Sequence, residues 1–385
     1  MSQLKLNFVI AFLIATQVAK MSFGIGEHFL GQEILGRVGF FLPVSQDTAS
    51  QEEAFRLWCL TTTLTVQEQH SREAILSATG ETECDKAFQQ LQAMRVIPLY
   101  HKGITDLYGL QFAVNATYLD LADNQITEIS ALRGLKELTY LNLSSNRLEV
   151  IEPLRGLSSL KELHLGSNEI RTLSPIEKLF ELKALSFRSN QVESLVPLRS
   201  LTELNEIEGA NNLIFSSEGL ENLIHLVRLD LSSNRLQETR AIVAHVQLEE
   251  LNLAANQISQ ILIPGKVRHL NLFSNALRSL DGVEVASALE FLGVGNNHID
   301  SLEPLRGLQK LQGINAGQNQ IRELSALAGH SSLKWLDFDN NQIEDLSVLS
   351  GLNELQRLSV VANPLRPEGQ CPVPDPQNMI CVFRR

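Results

Sequence analysis

Side chains that could support catalysis or bind a metal are scattered along this chain. The sequence contains no GxSxG, HExxH, phosphate-loop or dinucleotide-binding motif, and its nine histidines form no cluster. Catalysis needs a nucleophile beside a base, paired carboxylates in a pocket, or a metal site, and none of these is recognisable. The sequence therefore predicts no catalytic residues, no metal site and no cofactor, and it argues against an enzyme.

The four cysteines form two close pairs, and the long region between the pairs has none. Cys59 stands near Cys84, and Cys371 stands near Cys381. Neither pair has the CxxC spacing of a zinc site. Four cysteines allow three disulfide pairings. Disulfides persist mainly in oxidising compartments, so they would imply an exported protein. The alternative is a cytosolic protein in which all four thiols are free.

The acidic composition disfavours nucleic acid as a partner. The formal net charge is -12, whereas phosphate binding requires a basic face. Charges of both signs are interspersed, as on solvated surfaces. With 44% hydrophobic residues among 385, the chain can bury a large core.

The N-terminal segment has the features of a secretory signal. Lys5 precedes a mostly apolar run from Leu6 to Ala19. This run is shorter than the ~20 apolar residues that a membrane-spanning helix needs, which favours a signal peptide over an anchor or a buried helix. We predict a signal peptide at 1–24, a linker at 25–50 and no stable membrane span. The protein would then be secreted or periplasmic.

An asparagine recurs along most of the chain at a nearly constant spacing. Every step is 22 residues except the 19-residue step from Asn256 to Asn275. The full set is Asn124, Asn146, Asn168, Asn190, Asn212, Asn234, Asn256, Asn275, Asn297, Asn319, Asn341 and Asn363. Such a period predicts a solenoid. Alternating apolar residues before each asparagine indicate a short strand, and the three-residue apolar spacing after it suits a tight extended or 3₁₀ turn on the convex side.

We expect these asparagines to be structural. An amide can donate and accept hydrogen bonds at once, so it can satisfy backbone groups that a turn leaves unpaired inside the solenoid. Counting 22 residues back from Asn124 reaches Lys102, with Ile97, Leu99 and Ile104 in the apolar places. This pattern indicates a degenerate first repeat, which makes 13 strands.

Helical spacing precedes the repeats. Residues 51–95 contain three stretches with apolar side chains three or four apart, and the second stretch ends at Gly80. This spacing predicts three short helices that cap the first repeat. Because a solenoid exposes apolar core at its end, we predict that a Cys59–Cys84 disulfide ties this cap together.

The C-terminal end is predicted to be an extended lid. The repeats occupy residues 96–366, and residues 367–385 contain four prolines, which disfavour a further repeat. A Cys371–Cys381 disulfide would close this end in the same way as its counterpart at the start.

The repeats resemble those of bacterial internalin-like proteins, whose units follow an NxIxxIxxLxxLxxLxxLxL pattern. The unit that starts at Asn146 reads NRLEVIEPLRGLSSLKELHLGS. The family's usual proline before the first convex leucine is present at Pro153, Pro175, Pro197 and Pro304. The resemblance implies an α/β solenoid, a curved leucine-rich-repeat horseshoe of about 13 short parallel strands with a helical cap and a disulfide lid. The cysteine-containing flanks resemble those of secreted cyanobacterial-type repeat proteins.

Polar strand positions of a solenoid project onto its concave face, which is the usual binding side. Aromatic residues gather near both ends of this face, and aromatic and arginine side chains dominate binding hot spots. We predict a shallow groove whose floor of four glycines lies between aromatic walls, with Tyr118 and Tyr140 as the second choice. Scattered surface hydrophobic residues are the alternative interpretation. The predicted contact residues are His269, Phe273, Phe291, Gly293, Gly313, Trp335, Asp337, Asp339 and Arg357, with Gly295 and Gly317 completing the floor.

Three functions compete at this point. The sequence favours a monomeric, exported, non-enzymatic module that binds a protein or a glycan. An intracellular scaffold resembling the repeat-type regulatory subunits of protein phosphatases is the alternative, and reduced cysteines would favour it. A third possibility is an enzyme whose repeats recruit substrate, but only a short cap and lid flank the repeats.

Overall fold

A computed structural model describes residues 48–366, 371–372 and 380–383. Nearly all of them belong to one compact unit that begins at Glu52. The predicted signal peptide and most of the predicted linker lie outside the described residues. Within the described part of the chain, none of the helices combines the length and apolar character needed to cross a membrane.

From residue 48 onward, where the structure describes the chain, three α-helices precede the repeats, as the spacing predicts. They are α1 (Thr48–Leu60), α2 (Val66–Thr79) and α3 (Cys84–Ala93). Thr65 and Glu68 form a capping box at the start of α2, and Gly80 ends that helix in the left-handed conformation. The predicted Cys59–Cys84 disulfide is present and joins α1 to the start of α3.

An aromatic cluster packs these helices against the first repeat. The Phe55 ring lies 5.2 Å from Trp58 and 5.6 Å from Phe112, between ring centroids. Gly109 has a φ of 106°, and a β-carbon there would lie 2.4 Å from Trp58 Cη2. Glycine is therefore required twice over, by the backbone angle and by the ring above it. The cluster buries the apolar end of the solenoid.

Fourteen short parallel strands form a single open sheet in chain order. In thirteen of them the middle residue of three is buried. The strands are β1 (Val96–Pro98), β2 (Tyr118–Asp120), β3 (Tyr140–Asn142), β4 (Glu162–His164), β5 (Ala184–Ser186), β6 (Glu206–Glu208), β7 (Arg228–Asp230), β8 (Glu250–Asn252), β9 (His269–Asn271), β10 (Phe291–Gly293), β11 (Gly313–Asn315), β12 (Trp335–Asp337), β13 (Arg357–Ser359) and β14 (Ile380–Val382).

Short 3₁₀ segments connect many of the strands, which confirms the prediction from the three-residue apolar spacing. They are Leu110–Phe112, Ser130–Gly134, Glu152–Gly156, Ser174–Ile176, Val196–Leu198, Arg240–Ile242, Val283–Val285, Glu303–Leu305, Ser325–Leu327 and Ser347–Gly351. Their apolar residues and the middle residues of the strands form one continuous core.

The predicted extended lid contributes a strand of its own, the fourteenth, beyond the 13 that the repeats predict. Strand β14, from the predicted lid, pairs in parallel with β13, and Ile380 N donates to Gln356 O at 2.9 Å. The last repeat would otherwise leave its backbone groups unpaired at the sheet edge, and the lid satisfies them. The predicted Cys371–Cys381 disulfide is present and holds this strand.

The ladder asparagines make the predicted hydrogen bonds. Asn234 Oδ1 accepts from Ile214 N at 3.0 Å, while Nδ2 donates to Gly209 O and Leu231 O, both at 3.0 Å. The same bond to the preceding repeat is made by every asparagine of the series. Each amide therefore connects its own turn to the repeat before it.

The 19-residue repeat preserves this ladder. Asn275 Oδ1 accepts from Ile258 N at 3.0 Å, and its Nδ2 donates to Leu253 O at 3.0 Å. Leu251 of β8 still pairs in register with Leu270 of β9. The three missing residues are therefore removed from the convex arc between Ile258 and β9.

Candidate functional site

The first and third residues of the strands form two parallel rows on the solvent-facing side of the sheet, which we call the concave face. The first row contains Tyr118, Tyr140, Glu162, Ala184, Glu206, Arg228, Glu250, His269, Phe291, Gly313, Trp335 and Arg357. A cavity of about 530 Å³ opens on this face between β6 and β12. The fold thus brings together residues that are more than 100 positions apart in sequence, from Glu206 to Trp335.

At the N-terminal end of the concave face, the aromatic residues contact one another. The Tyr118 and Tyr140 rings stack at 4.2 Å with an interplanar angle of 6°, and Tyr140 lies 5.4 Å from His164. Burial, together with a hydrogen bond to Tyr118, raises the pKa of the Tyr140 hydroxyl. His164 Nε2 is 2.8 Å from Glu162 Oε1. Each tyrosine ring therefore covers much of the other ring's face.

Carboxylates dominate the middle of the face, on β6 to β8. Arg228 forms a two-pronged ion pair with Glu206, with Nε to Oε1 at 3.0 Å and Nη2 to Oε2 at 2.5 Å. This guanidinium lowers the pKa of Glu206. Among the described residues, neither Glu208 nor Glu250 has an ion-pair partner. With Asp230, four carboxylates face one guanidinium.

At the C-terminal end, aromatic rings lie over glycines. A β-carbon on Gly313 would lie 2.9 Å from Phe291 Cδ1 and 3.2 Å from Trp335 Cε3, and one on Gly295 would lie 2.8 Å from Phe273 Cε2. Because glycine has no side chain, the rings can approach the backbone closely. We call Phe273, Phe291 and Trp335 the aromatic platform. Phe291 remains 43% exposed and Phe273 37% exposed.

The predicted open floor between aromatic walls is wrong. Gly313 is buried under Phe291 and Trp335, and Gly293 is covered by Asn271, whose Oδ1 would lie 2.9 Å from an added β-carbon. The rings lean over the glycines and present their exposed surface to solvent. The site is therefore a platform beside a cavity, and the glycines are its support.

The prediction that Asp339 contacts a partner is also wrong, because this side chain is buried. Its Oδ1 accepts a hydrogen bond from Ser359 Oγ at 2.6 Å and another from Val361 N at 2.8 Å. The sequence offered one signal of this role: the place two before the ladder asparagine holds mostly small residues, such as Ser232 and Ala254. Asp339 therefore stabilises the last repeats.

The other predicted contact residues lie near the cavity. His269 is exposed, and its ring meets the Phe291 ring edge-on at 5.1 Å. Arg357 is exposed and pairs in register with Trp335, and Asp337 is half-buried on the same strand as Trp335. Those that line the cavity are His269, Phe291, Gly293, Gly313 and Trp335.

Sequence reasoning missed the acidic half of this cavity. Glu206, Glu208, Asp230 and Glu250 line the same space as the aromatic residues. The signal was present in the repeat alignment, because these residues occupy concave positions on three successive strands. What the alignment does not show is that these carboxylates and the aromatic residues line one cavity, because that depends on how successive repeats pack.

Two histidines occupy interior places where neighbouring repeats have leucine. His245 and His330 are fully buried, each 11 residues after a ladder asparagine. Burial lowers the pKa of His245. His330 Nε2 lies 3.1 Å from Leu305 O. No group of metal-ligating side chains capable of holding an ion occurs in the part of the chain that the structure describes.

The sequence profile of the family described as "Leucine Rich repeats (2 copies)" matches residues 117–149 and 136–178. Together with the strand ladder and the asparagine hydrogen bonds, this match defines the chain as a leucine-rich-repeat solenoid. A separate comparison with curated protein sequences finds no match.

Among solved structures, the chain is similar to an internalin, InlF, from Listeria monocytogenes. The two share 26% identity over 84% of this chain and 98% of that one, with a TM-score of 0.76. The functional domain of InlJ from the same organism is 20% identical over 82% of this chain and 68% of that one, with a TM-score of 0.71. The chain thus has an internalin-like leucine-rich-repeat fold.

The same fold occurs in a plant peptide hormone receptor, RGFR1, solved in complex with RGF2. That receptor shares 18% identity over 71% of this chain and 52% of its own, with a TM-score of 0.59. The likeness concerns the fold alone.

Proposed function

We propose that this chain is an exported, non-enzymatic binding module that recognises a protein or a glycan through the concave face between β6 and β12. The observation that carries the proposal is the exposed aromatic platform beside a cavity of about 530 Å³. Exposed aromatic surface next to a concavity is typical of binding hot spots, whereas solvent alone offers such rings no stabilisation.

Export is supported by the two disulfides and by the apolar N-terminal run. Disulfides persist mainly in oxidising compartments, which fits a secreted or periplasmic protein. In the same proposal, residues 1–24 are a signal peptide, 25–50 a linker, 51–95 the cap, 96–366 the repeats and 367–385 the C-terminal cap. The alternative, an intracellular scaffold like a phosphatase regulatory subunit, requires reduced cysteines. Peptide mapping of the native protein without reduction distinguishes the two proposals, because it shows whether the cysteines are disulfide-bonded.

Removal of two platform rings tests the binding face. We expect Phe291→Ala with Trp335→Ala to weaken partner binding at least tenfold, or ~1.4 kcal/mol. The partner is first captured from the envelope and medium of the source organism on the immobilised full chain. The matched control replaces Phe180 and Phe215, which are 55% and 59% exposed outside the strands, with alanine.

Both double variants should keep the circular dichroism spectrum of the parent chain. Capture that is lost only in the Phe291→Ala, Trp335→Ala variant supports the proposal. Equal capture by all three proteins would move the binding surface away from β6 to β12.

A further inference from the structure

We infer that the concave face between β6 and β12 binds an extended polypeptide segment in which basic side chains are separated by about four to seven residues from an aromatic or aliphatic side chain. The inference rests on the proposed function and names its partner class. It combines two adjoining surfaces, the aromatic platform and the acidic stretch on β6 to β8, that the same cavity connects.

The electrostatic step concerns charge that the chain leaves uncompensated. Arg228 is already engaged by Glu206 through two hydrogen bonds. Asp230 accepts from the backbone N and hydroxyl of Ser232, but neither bond supplies positive charge. Glu208 on β6 and Glu250 on β8 form no ion pair of their own within the described residues, and they share only the longer-range attraction of Arg228. A partner that carries lysine or arginine would complement this stretch and be steered towards it.

The apolar step concerns the other end of the cavity. Phe291 and Phe273 expose parts of their rings. Gly313 and Gly295 have no side chain, so these rings lie close to the sheet. A flat, supported ring offers contact area without the entropy cost of ordering a mobile side chain. An aromatic or aliphatic side chain of the partner would cover this surface. The neighbouring His269 edge limits the platform on the acidic side.

The distance between the two surfaces sets the spacing in the partner. Three strand steps separate β7 from β10, and five separate β7 from β12. At ~4.8 Å per strand step these spans are roughly 14 to 24 Å, and an extended chain advances ~3.3 Å per residue. A segment crossing the strands would therefore place its basic and apolar side chains about four to seven residues apart.

The acidic stretch also favours a peptide over a glycan. Sugars can stack on aromatic rings, but a neutral glycan gives Glu208 and Glu250 no counter-charge, and an acidic glycan is repelled. The observations therefore favour the peptide, and glycan binding is one outcome of the test.

The test begins with selection of peptides from a random 12-residue display library on the immobilised full chain. We expect enriched sequences to carry two or more lysines or arginines at the stated spacing from an aromatic or aliphatic residue. A synthetic version of the best sequence is then titrated against the parent chain by calorimetry. Its affinity should fall at least tenfold in Glu208→Gln, Glu250→Gln, and it should fall as salt is raised, because screening weakens charge attraction.

The matched control is Glu137→Gln with Glu181→Gln, which changes the net charge equally at exposed positions outside the strands. This control should bind the peptide as the parent chain does. Enriched peptides without basic residues would overturn the inference, as would equal binding to Glu208→Gln, Glu250→Gln. A selection that enriches no peptide, or a glycan array in which only neutral glycans bind, would also overturn it.

Failure of the inference can be told apart from failure of the proposed function. Non-basic peptides or glycans whose binding is lost in Phe291→Ala, Trp335→Ala would overturn the basic partner and leave the concave site standing. Ligands that bind all concave variants equally would overturn both.

Discussion

The ladder asparagines and the first-position residues of the concave face run along the same sheet, yet they differ in composition and in contacts. In the interior row, one residue type recurs from Asn124 to Asn363 and bonds the preceding repeat in the same way each time. In the concave row, tyrosine, glutamate, arginine, phenylalanine, glycine and tryptophan follow one another, and their contacts change from strand to strand. Repetition thus marks the row that builds the solenoid, and variation marks the row that is available to a partner.

Asp339 shows that position in a row does not by itself decide the role of a residue. It follows strand β12 on the concave side, yet it is buried and accepts two hydrogen bonds from the next repeat. Its contacts are like those of the ladder asparagines. The division between the rows is therefore one of contacts, and it can be tested residue by residue.

The largest expected difference compares one residue type in the two rows. Asn234→Ala should destabilise the fold by ~1 to 3 kcal/mol, because it leaves Ile214 N and buried carbonyl groups without a partner. Asn252→Ala, on the concave face, removes only a local hydrogen bond to Ala254 N and should cost less than ~1 kcal/mol. Urea unfolding followed by circular dichroism measures both. Equal losses would erase the distinction between the rows.

A second comparison uses two neighbouring aspartates. Asp339→Ala should cost ~1 to 2 kcal/mol, because Val361 N and the Ser359 hydroxyl lose their acceptor. Asp337→Ala is the control, since Asp337 is half-buried and its Oδ1 accepts a hydrogen bond only two residues away in sequence, from Asp339 N. Thermal unfolding should place the Asp339 variant clearly below the control. The reverse order would return Asp339 to the binding surface.

A third prediction concerns a titratable residue in the interior. His245 has a lowered pKa in the folded chain because it is buried, so the unfolded chain binds its proton first as the pH falls. Its contribution to stability is fully present above the unfolded pKa near ~6.5 and declines below it, by up to ~1.4 kcal/mol per pH unit. The parent chain should therefore lose more stability between pH 7.5 and 5.5, conditions chosen about one unit on either side of ~6.5, than His245→Leu does. Identical pH dependence in both proteins would exclude His245 as the source.

The smallest expected effect lies in the concave row. The Arg228–Glu206 pair is solvent-accessible, so a double-mutant cycle with alanine should give a coupling of ~0.2 to 1 kcal/mol, and salt should reduce it. The measurement is unfolding in urea at low and high ionic strength. A coupling as large as the loss in Asn234→Ala would mean that this part of the concave face also holds the solenoid together.

The periodic parts of the fold could be predicted from the sequence because each repeat has the same spacing of apolar residues and asparagine. The asparagine spacing, the strands, the 3₁₀ turns and the placement of cysteines at the two ends all follow from composition and period. Strand β14 could not be predicted, because it follows several prolines and is fixed by pairing with β13. Its signal is tertiary rather than periodic.

The candidate site was predicted less completely, because side-chain direction depends on neighbours from other repeats. The sequence placed Phe291 and Trp335 on the correct face, but it did not show that both rings lean over Gly313. Likewise, nothing local to Asp339 reveals that Ser359 and Val361 occupy its carboxylate. The acidic residues were on the correct face in the repeat alignment, and only their common cavity required the structure.

The 19-residue repeat shows where this chain can change length without changing the asparagine hydrogen bonds or the strand register. The ladder and the β8–β9 register both survive the loss of three residues, because the loss falls on the convex arc. An insertion or deletion of codons there leaves every concave side chain aligned with its neighbours. The same change between a strand and its ladder asparagine would move that asparagine away from the backbone groups that it bonds. The length of the convex side can thus vary independently of the residue types on the concave face.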